Sequence, residues 1–303
     1  MPELPEVTTT VLGLNKTVKG KTIKDVWTEY KSSYKPHKNT IKDPKYFLEF
    51  KKKIVGKKIL GAERIGKNIL IHLSSKESIL IHMKMTGHLM YGEYVFDKKK
   101  KSWSPEKKSP APLHDPYNRF IRLVFTLSDG KELVLCDSRK FAKVVLLDDK
   151  ITNEKHIGFI GLDPLDPKLS LETFIERVSR KKSTKIKTAL LDQTLISGIG
   201  NIYSDEALFL SGISPKRIVR EIKKEEWKKL FQNTKKVLEK GIDFGGDSTS
   251  DYRNIYGEPG KFQHKHNVYR RKGERCSKKG CSGVIIREVI GGRSSHFCPK
   301  HQK

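Results

Sequence analysis

The apolar pattern of the chain changes character once, between residues 150 and 170, and this change constrains the fold most. Before it, short runs rich in branched and aromatic residues alternate with turn signals, as in TIKDVWTEY, ILIHL, ILIHM, FIRLVFTL and KELVLCD. They predict a β-sandwich or barrel. After it, apolar residues recur at helical spacing in 186–196, 202–210 and 225–239, and Ser170 is a candidate N-cap for LETFIERV.

A helix is also predicted at the start of the chain. Pro5 suits a first helical turn, and apolar residues follow at spacings of about three and four before Gly20: Val7, Val11, Leu14 and Val18. The sequence therefore predicts an α+β chain in three parts. These are a β-rich domain over 1–150, a helical domain over 151–268 and a small hairpin over 269–303.

Charge points to a polyanionic partner. The chain has 62 Lys and Arg against 35 Asp and Glu, a net charge of +27, and such an excess favours nucleic acid. The alternative is a set of ordinary solvated faces, and the run Lys98–Lys101 is expected to be a solvated loop. No apolar run approaches the roughly 18 residues of a membrane span, and the N-terminus lacks signal-peptide character. We expect a soluble cytoplasmic protein, associated with the nucleoid through DNA binding.

Three of the four cysteines lie in the C-terminal tail. Cys276, Cys281, Cys298 and His301 form a Cys-x4-Cys, Cys-x2-His set, which is within the ligand spacings of structural zinc sites. His296 is the alternative fourth ligand, but the paired spacing to Cys298 favours His301. The sequence predicts one structural Zn²⁺.

The residues between these cysteine pairs predict a two-stranded hairpin. VIIREV and SSHFC flank Gly291-Gly292, which would form the tip, with Arg293 placed there to meet a phosphate or enter a groove. An ordinary exposed arginine is the alternative interpretation.

A second glycine-rich turn lies between two helical stretches. In LISGIGNIYSDEALF, the glycines before Asn201 leave backbone N–H groups at a helix N-terminus, where an anion is favoured. Because KKSTKIK lies just upstream in a basic chain, we predict a helix-turn-helix variant that binds the DNA backbone rather than a plain helical hairpin.

The opening MPELPEV places a potential nucleophile at the chain end. Removal of Met1 would leave Pro2 as a secondary amine with a pKa of about 8. Attack on a sugar C1′ would expel the base and form an iminium that promotes strand cleavage, with Glu3 as proton donor and acceptor. A capped helix start explains Pro5 and Glu6 but not Pro2 and Glu3.

Together, MPELPEV, GIGNIYSDE and GGRSSHFCPKH resemble the bacterial formamidopyrimidine-DNA glycosylase family, which is related to endonuclease VIII. The resemblance implies a bifunctional glycosylase and AP lyase that removes oxidised purines from double-stranded DNA. It also implies a β-sandwich domain, a helix-two-turn-helix domain and a zinc-finger hairpin. A monomer without a small-molecule cofactor is expected.

The resemblance also implies roles for individual residues. The catalytic set is Pro2, Glu3, Glu6 and Lys67. Three side chains would fill the space left by a flipped base: Met85, Arg139 and Phe141. Phosphate contacts are implied at Lys187, Asn201 and Arg293. Lesion contacts are implied at Glu206, Ser250, Asp251 and Tyr252.

Two departures from the family pattern stand out. The first cysteine pair encloses four residues rather than two and the set ends in His301, and the stretch Tyr91 to Tyr117 is longer than the family needs. Two alternative functions stay open from the sequence. One is an endonuclease VIII type of glycosylase for oxidised pyrimidines, and the other is a zinc-hairpin DNA-binding module without catalysis.

Overall fold

Residues 1–32, 37–148 and 159–303 are described in the computed structural model, and their contacts separate into two units. One unit comprises Met1–Gly158 and Gly245–Lys261, and the other comprises Phe159–Phe244 and Phe262–Lys303. The predicted boundary at residue 150 lies outside the described residues. The division differs from the predicted one in two ways: 245–261 groups with the β-rich unit, and the C-terminal hairpin groups with the helices.

The first unit is built on two four-stranded antiparallel sheets. Its helices are α1 (Leu4–Thr17) and α2 (Pro44–Ile54), and its strands are β1 (Ile23–Thr28), β2 (Ile59–Ile65), β3 (Asn68–Leu73), β4 (Ser78–His82), β5 (His88–Gly92), β6 (Tyr94–Asp97), β7 (Ser102–Pro105), β8 (Ile121–Leu127), β9 (Glu132–Cys136) and β10 (Lys143–Leu147). The strand orders of the two sheets are β1-β8-β9-β5 and β10-β4-β3-β2. Short 3-10 turns occupy Ala111–His114 and Pro116–Arg119.

One apolar core joins these two sheets. Ile69, Ile71 and Ile81 from the second sheet share a cluster with Leu123 and Phe125 from the first, and all are at most 1% exposed. Burying branched and aromatic side chains between two sheets is the main stabilising term of such a fold. The β-sandwich prediction is confirmed.

Helix α1 begins almost at the chain end, as predicted. Pro5 lies in its first turn, and Val7, Leu14 and Val18 are buried in the same core as the strands. The apolar face therefore fixes the helix on the sandwich, and its N-terminus carries the opening residues of the chain.

The second unit, as far as it is described, contains four helices and a hairpin. They are α3 (Leu171–Ser179), α4 (Ile186–Leu190), α5 (Asn201–Ser211), α6 (Lys224–Asp243), β11 (Ile286–Ile290) and β12 (Arg293–Phe297), with 3-10 turns at Val219–Glu221 and Phe262–Lys265. Ser170 caps α3 by accepting from Thr173 N at 3.1 Å. The helix predicted over 186–196 ends at Leu190, because Asp192 Oδ1 accepts from Thr194 N and turns the chain.

The C-terminal hairpin has the predicted register. Ile290 pairs with Arg293, so Gly291 and Gly292 form the tip, with φ of 57° and 76°. Within the described ranges, no helix is both long and apolar enough to cross a membrane.

Candidate active site

The first residues of the chain are held in place by their own helix. Glu3 is the N-cap of α1 with extended backbone, and its N–H donates to Glu6 Oε2 at 2.7 Å. Pro2 is buried, and Glu3 and Glu6 are 3% and 1% exposed. The fold therefore brings three of the four predicted catalytic residues together at the positive end of a helix.

A segment from far along the chain completes this arrangement. Asp247 N donates to Glu6 Oε1 at 2.7 Å, and Tyr252 Oη donates to Glu6 O at 3.1 Å. Gly246 has φ of 87°, and a Cβ there would lie 2.9 Å from Glu6 Cγ, so only glycine fits. Segment 245–261 thus positions the Glu6 carboxylate between two backbone N–H groups.

Lys67 lies in the turn between β2 and β3 and is 7% exposed. The pKa of His82 is lowered to about 3, mainly by burial. The positive charges of Lys84, Lys67 and Lys143 act in the same direction. Lys84 N donates to His82 Nδ1 at 3.0 Å. The ammonium groups of Lys84, Lys67 and Lys143 concentrate positive charge around this end of β4, which suits an anionic ligand. His82, which ends β4 two residues before Lys84, is not among the site residues predicted from the sequence.

Met85 and Phe141, both predicted to fill a vacated base position, are exposed large side chains. Their exposures are 38% and 50%. The Arg139 guanidinium lies 4.6 Å from the Phe141 ring centroid, within the range of a cation–π contact. The three side chains are thus available at the surface rather than used in the core.

Buried Asp137 ties the two backbone segments that carry these side chains. Its carboxylate accepts from Thr86 Oγ1 at 2.5 Å and from Ala142 N at 2.7 Å. Thr86 Oγ1 in turn accepts from Arg139 N at 3.2 Å. Hydrogen bonds to a buried carboxylate are among the stronger ones in proteins. Met85 and Phe141 therefore extend from two loops that these hydrogen bonds hold together.

In the second unit, two of the predicted phosphate contacts, Asn201 and Arg293, lie at the beginnings of elements. Asn201 is the first residue of α5, and its Oδ1 is buried with no hydrogen-bond partner among the described residues. Arg293 is exposed at the first position of β12. A helix N-terminus and an arginine at a hairpin tip both suit anionic oxygens.

Lys187 has a different position from the predicted one. It is 0% exposed, and its Nζ lies 2.6 Å from Asp205 Oδ1, 2.8 Å from Ser204 Oγ and 3.0 Å from Asn201 O. A phosphate contact does not fit this placement, because the ammonium is enclosed by protein acceptors. We reassign Lys187 as a residue that fixes the start of α5.

Glu206 also differs from its predicted role as a lesion contact. The side chain is 1% exposed and accepts from Asn267 N, Val268 N and Tyr269 N at 2.8 to 3.0 Å. Its carboxylate therefore organises the backbone of 267–269 and is not directed at a ligand.

The predicted lesion loop divides into two kinds of residue. Tyr252 is 4% exposed, and burial raises the pKa of its hydroxyl well above the usual range, so its side chain belongs to the packing around α1. Its predicted lesion contact does not fit this placement. Ser250 and Asp251 are half-buried, and Ser250 O accepts from Arg253 Nη1 at 3.1 Å.

The three tail cysteines form a candidate metal centre. The thiols of Cys276, Cys281 and Cys298 all lie within 4.8 Å of one another. A Cβ on Gly283 would lie 2.5 Å from Cys298 Sγ, so glycine leaves room for the thiols to converge. Gly283 N donates to Cys281 Sγ and lowers the pKa of that thiol, whereas burial raises the pKa of Cys276 to about 11.

Neither histidine of the tail joins the thiol cluster. His301 Nε2 lies 2.9 Å from Phe209 O, and its ring packs edge-on against Phe209. His296 is buried and directed at Asp205. Three converging thiols fit a thiophilic metal such as zinc, and the predicted fourth ligand lies outside the group.

Two family models match the chain, and they cover most of it. The formamidopyrimidine-DNA glycosylase N-terminal domain matches residues 1–144, and the formamidopyrimidine-DNA glycosylase H2TH domain matches residues 160–253. A Cytobacillus firmus protein named formamidopyrimidine-DNA glycosylase is 36% identical over 304 residues, covering 100% of each chain. The Bacillus subtilis (strain 168) protein of that name is 36% identical over 307 residues, covering 100% of this chain and 99% of the relative.

Solved structures agree with this similarity. A complex between Lactococcus lactis Fpg and DNA containing an abasic site has a TM-score of 0.81 at 28% identity, covering 99% of each chain. A complex of the same protein with DNA containing Fapy-dG has a TM-score of 0.80 at 28% identity, covering 99% of this chain and 100% of that one. The chain therefore belongs to the formamidopyrimidine-DNA glycosylase family.

Proposed function

We propose that the chain is a base-excision-repair DNA glycosylase that removes oxidised purines from duplex DNA and then cleaves the strand as an AP lyase. The observation that carries this proposal is the pairing of a potential N-terminal proline amine with Glu3 and Glu6 at the start of α1, in a chain similar to such glycosylases over its whole length. Oxidised purines as substrates follow from the names of those relatives.

Pro2 would act as the nucleophile once Met1 has been removed. Its secondary amine attacks C1′, a new N–C1′ bond forms, and the bond between C1′ and the damaged base breaks with the base as leaving group. Glu3, next to Pro2 in the chain, would take the proton that the attacking amine loses and deliver it to O4′, so that the C1′–O4′ bond breaks and the opened sugar is left as an iminium. The iminium acidifies the C2′ proton, so β- and then δ-elimination cleave the strand, and water releases Pro2.

Other residues of the first unit would hold the DNA for this chemistry. Lys67 and its neighbours supply positive charge for the phosphates around the damaged nucleotide. Met85, Arg139 and Phe141 would occupy the stack after the nucleotide turns out, because an emptied base position costs a few kcal/mol. Their exposure on two braced loops supports this role.

The second unit would bind the DNA backbone through Asn201 and Arg293. We assign its thiol cluster to one structural Zn²⁺, held by Cys276, Cys281 and Cys298. His301, the fourth ligand predicted from the sequence, lies outside this group, with its Nε2 2.9 Å from Phe209 O. When bound, the metal cross-links a hairpin that has little core of its own. We propose a monomer that needs no small-molecule cofactor.

Borohydride trapping tests the proposal directly. Zinc-loaded protein is incubated with a duplex carrying 8-oxoguanine opposite cytosine and then reduced, and any covalent adduct is mapped by mass spectrometry. An adduct on Pro2 is expected. The matched control is the same chain with an uncleaved N-terminal extension, which turns the Pro2 amine into an amide and should give no adduct.

Two other outcomes would contradict parts of the proposal. Trapping on a thymine glycol duplex, with binding but no trapping on the 8-oxoguanine duplex, would indicate an oxidised-pyrimidine enzyme. Binding without trapping on either duplex would leave a DNA-binding module without catalysis.

A further inference from the structure

The long stretch between β5 and β8 contains an additional β-hairpin, and its turn consists entirely of lysine. Strands β6 and β7 are joined by Lys98–Lys101, and all four side chains are exposed. Asp97 Oδ1 accepts from Lys99 N at 2.8 Å and from Lys100 N at 3.0 Å, which closes the turn. Four ammonium groups are thus confined to one tight turn rather than spread along a flexible loop.

The positive charge of this turn exceeds the negative charge of Asp97, whose carboxylate closes the turn. Lys107 and Lys108 lie just beyond β7 and are also exposed. Within the described part of the chain, none of these six lysines forms an ion pair. Other lysines of the same unit do have acidic partners: Lys21 with Asp129, Lys51 with Asp25, and Lys131 with Glu93. Like charges held close together repel, and a polyanion relieves that repulsion.

The hairpin that carries this turn has a rigid base. The rings of Trp27, Phe96 and Trp103 pack against one another with centroids 5.5 to 6.4 Å apart. Tyr94 N donates to Glu132 Oε2 at 3.0 Å, which ties β6 to β9. Because the backbone is already ordered, binding through the lysines loses less conformational entropy than binding through a mobile tail.

We propose that this hairpin is a second DNA-binding element, in which Lys98–Lys101 contact the phosphate backbone of duplex DNA outside the damaged site. The proposal rests on the proposed function only in taking DNA as the partner. Phosphates of duplex DNA present closely spaced negative charges with condensed counterions, and each phosphate neutralised by a lysine releases a counterion. Lysine binds phosphate as a point charge and needs no shaped pocket, which matches a turn of exposed ammonium groups.

The test replaces all four lysines with glutamine and measures binding to undamaged duplexes by anisotropy over a range of salt concentrations. The slope of log Kd against log salt should fall by about 0.9 for each phosphate that the variant no longer neutralises, and by about 2 or more in total on a long duplex. The matched control replaces Lys45, Lys52, Lys53 and Lys58, which are exposed on α2 and before β2 and remove the same charge. This control should change the slope by less than about 1.

The outcomes separate this proposal from the function of the enzyme. Equal slopes for the hairpin variant and the wild type would overturn the proposal, as would an equal fall in the control variant, which indicates an effect of net charge alone. A hairpin variant that still traps the 8-oxoguanine duplex is folded and active, so its weaker binding to long DNA is a property of the hairpin. Failure of the wild type to trap any duplex counts against the proposed function and leaves the salt measurement unaffected.

Discussion

The ammonium of Lys187 lies 2.6 Å from Asp205 Oδ1, and both side chains are fully buried. The second oxygen of Asp205 accepts from His296 N at 2.9 Å. Asp205 lies on α5, the helix that begins with Asn201. It therefore connects this helix to α4 and to β12, the hairpin strand that begins with Arg293. Asn201 and Arg293, the two phosphate contacts proposed for the second unit, thus lie on elements that this one carboxylate holds together.

Breaking this pair should destabilise the second unit strongly. Asp205→Asn leaves a buried ammonium without a counter-charge, and Lys187→Met leaves a buried carboxylate, so each should lower the free energy of unfolding by about 3 to 5 kcal/mol. The double variant should lose less than the sum, because neither charge is then left alone. Urea unfolding of the four proteins measures the coupling, and additive losses would argue against a coupled pair.

Arg293→Ala should weaken DNA binding at all sequences and reduce the salt slope by about 1, as removal of one phosphate-binding side chain does. Arg287→Ala is the matched control, since Arg287 is on the neighbouring strand and binds Ser294 Oγ; its salt slope should stay that of the wild type.

Lys187→Met should weaken DNA binding, because Asn201 is then misplaced, without changing the salt slope. A reduced salt slope in Lys187→Met would instead support the phosphate contact that the family resemblance implies for Lys187.

Glu132 should make the stability of the first unit depend on pH. Burial raises the pKa of Glu132 to about 7 from an ordinary 4.5. The folded state thus keeps a proton that the unfolded state loses, so this contribution is fully present below pH 4.5 and is lost as the pH rises through 7. Glu132→Gln, which can still accept from Tyr94 N, should flatten that decline. Unfolding at about pH 4 and pH 8 measures it, and an unchanged decline would contradict the assignment.

Glu3→Gln should impair base excision without removing the nucleophile. Loss of the proton donor should lower the single-turnover excision rate by about 10²- to 10⁴-fold. Trapping on a duplex with a preformed abasic site should persist, because the Pro2 amine is intact. Glu49→Gln, an exposed position on α2, is the charge-matched control and should excise at the wild-type rate. Equal loss of excision and trapping would mean that Glu3 only supports the fold.

A side chain at Gly283 should prevent the three thiols from converging. A Cβ there would lie 2.5 Å from Cys298 Sγ and 3.3 Å from Cys281 Sγ. Gly283→Ala should therefore reduce bound zinc per chain and lower the Tm, and excess chelator should lower the Tm of the wild type similarly. Ser282→Ala, one residue away, should keep its zinc. Full zinc occupancy in Gly283→Ala would contradict the proposed centre.

Features with local causes could be predicted from the sequence. Helix α1 follows from Pro5 and an apolar face, and the C-terminal hairpin follows from two glycines between short strands. Buried acids on α5 could not be predicted in this way. Asp205 and Glu206 are consecutive, yet both are buried. Besides Lys187, their partners include backbone N–H groups more than 60 positions away, on His296 and Val268. A motif reveals which residues occur together, but not which of them face the protein interior.

Segment 245–261 could not be assigned to the β-rich unit from the sequence, because its contacts with that unit join residues that are far apart in the chain. Its bond from Asp247 N to Glu6 Oε1 joins residues 241 positions apart. The connection has a consequence for biosynthesis. Helix α1 leaves the ribosome before segment 245–261, which fixes the Glu6 side chain and emerges only after α6 has been made. A chain released before this segment would lack the bond that fixes Glu6, so the order of synthesis delays completion of the proposed active site until segment 245–261 has been made.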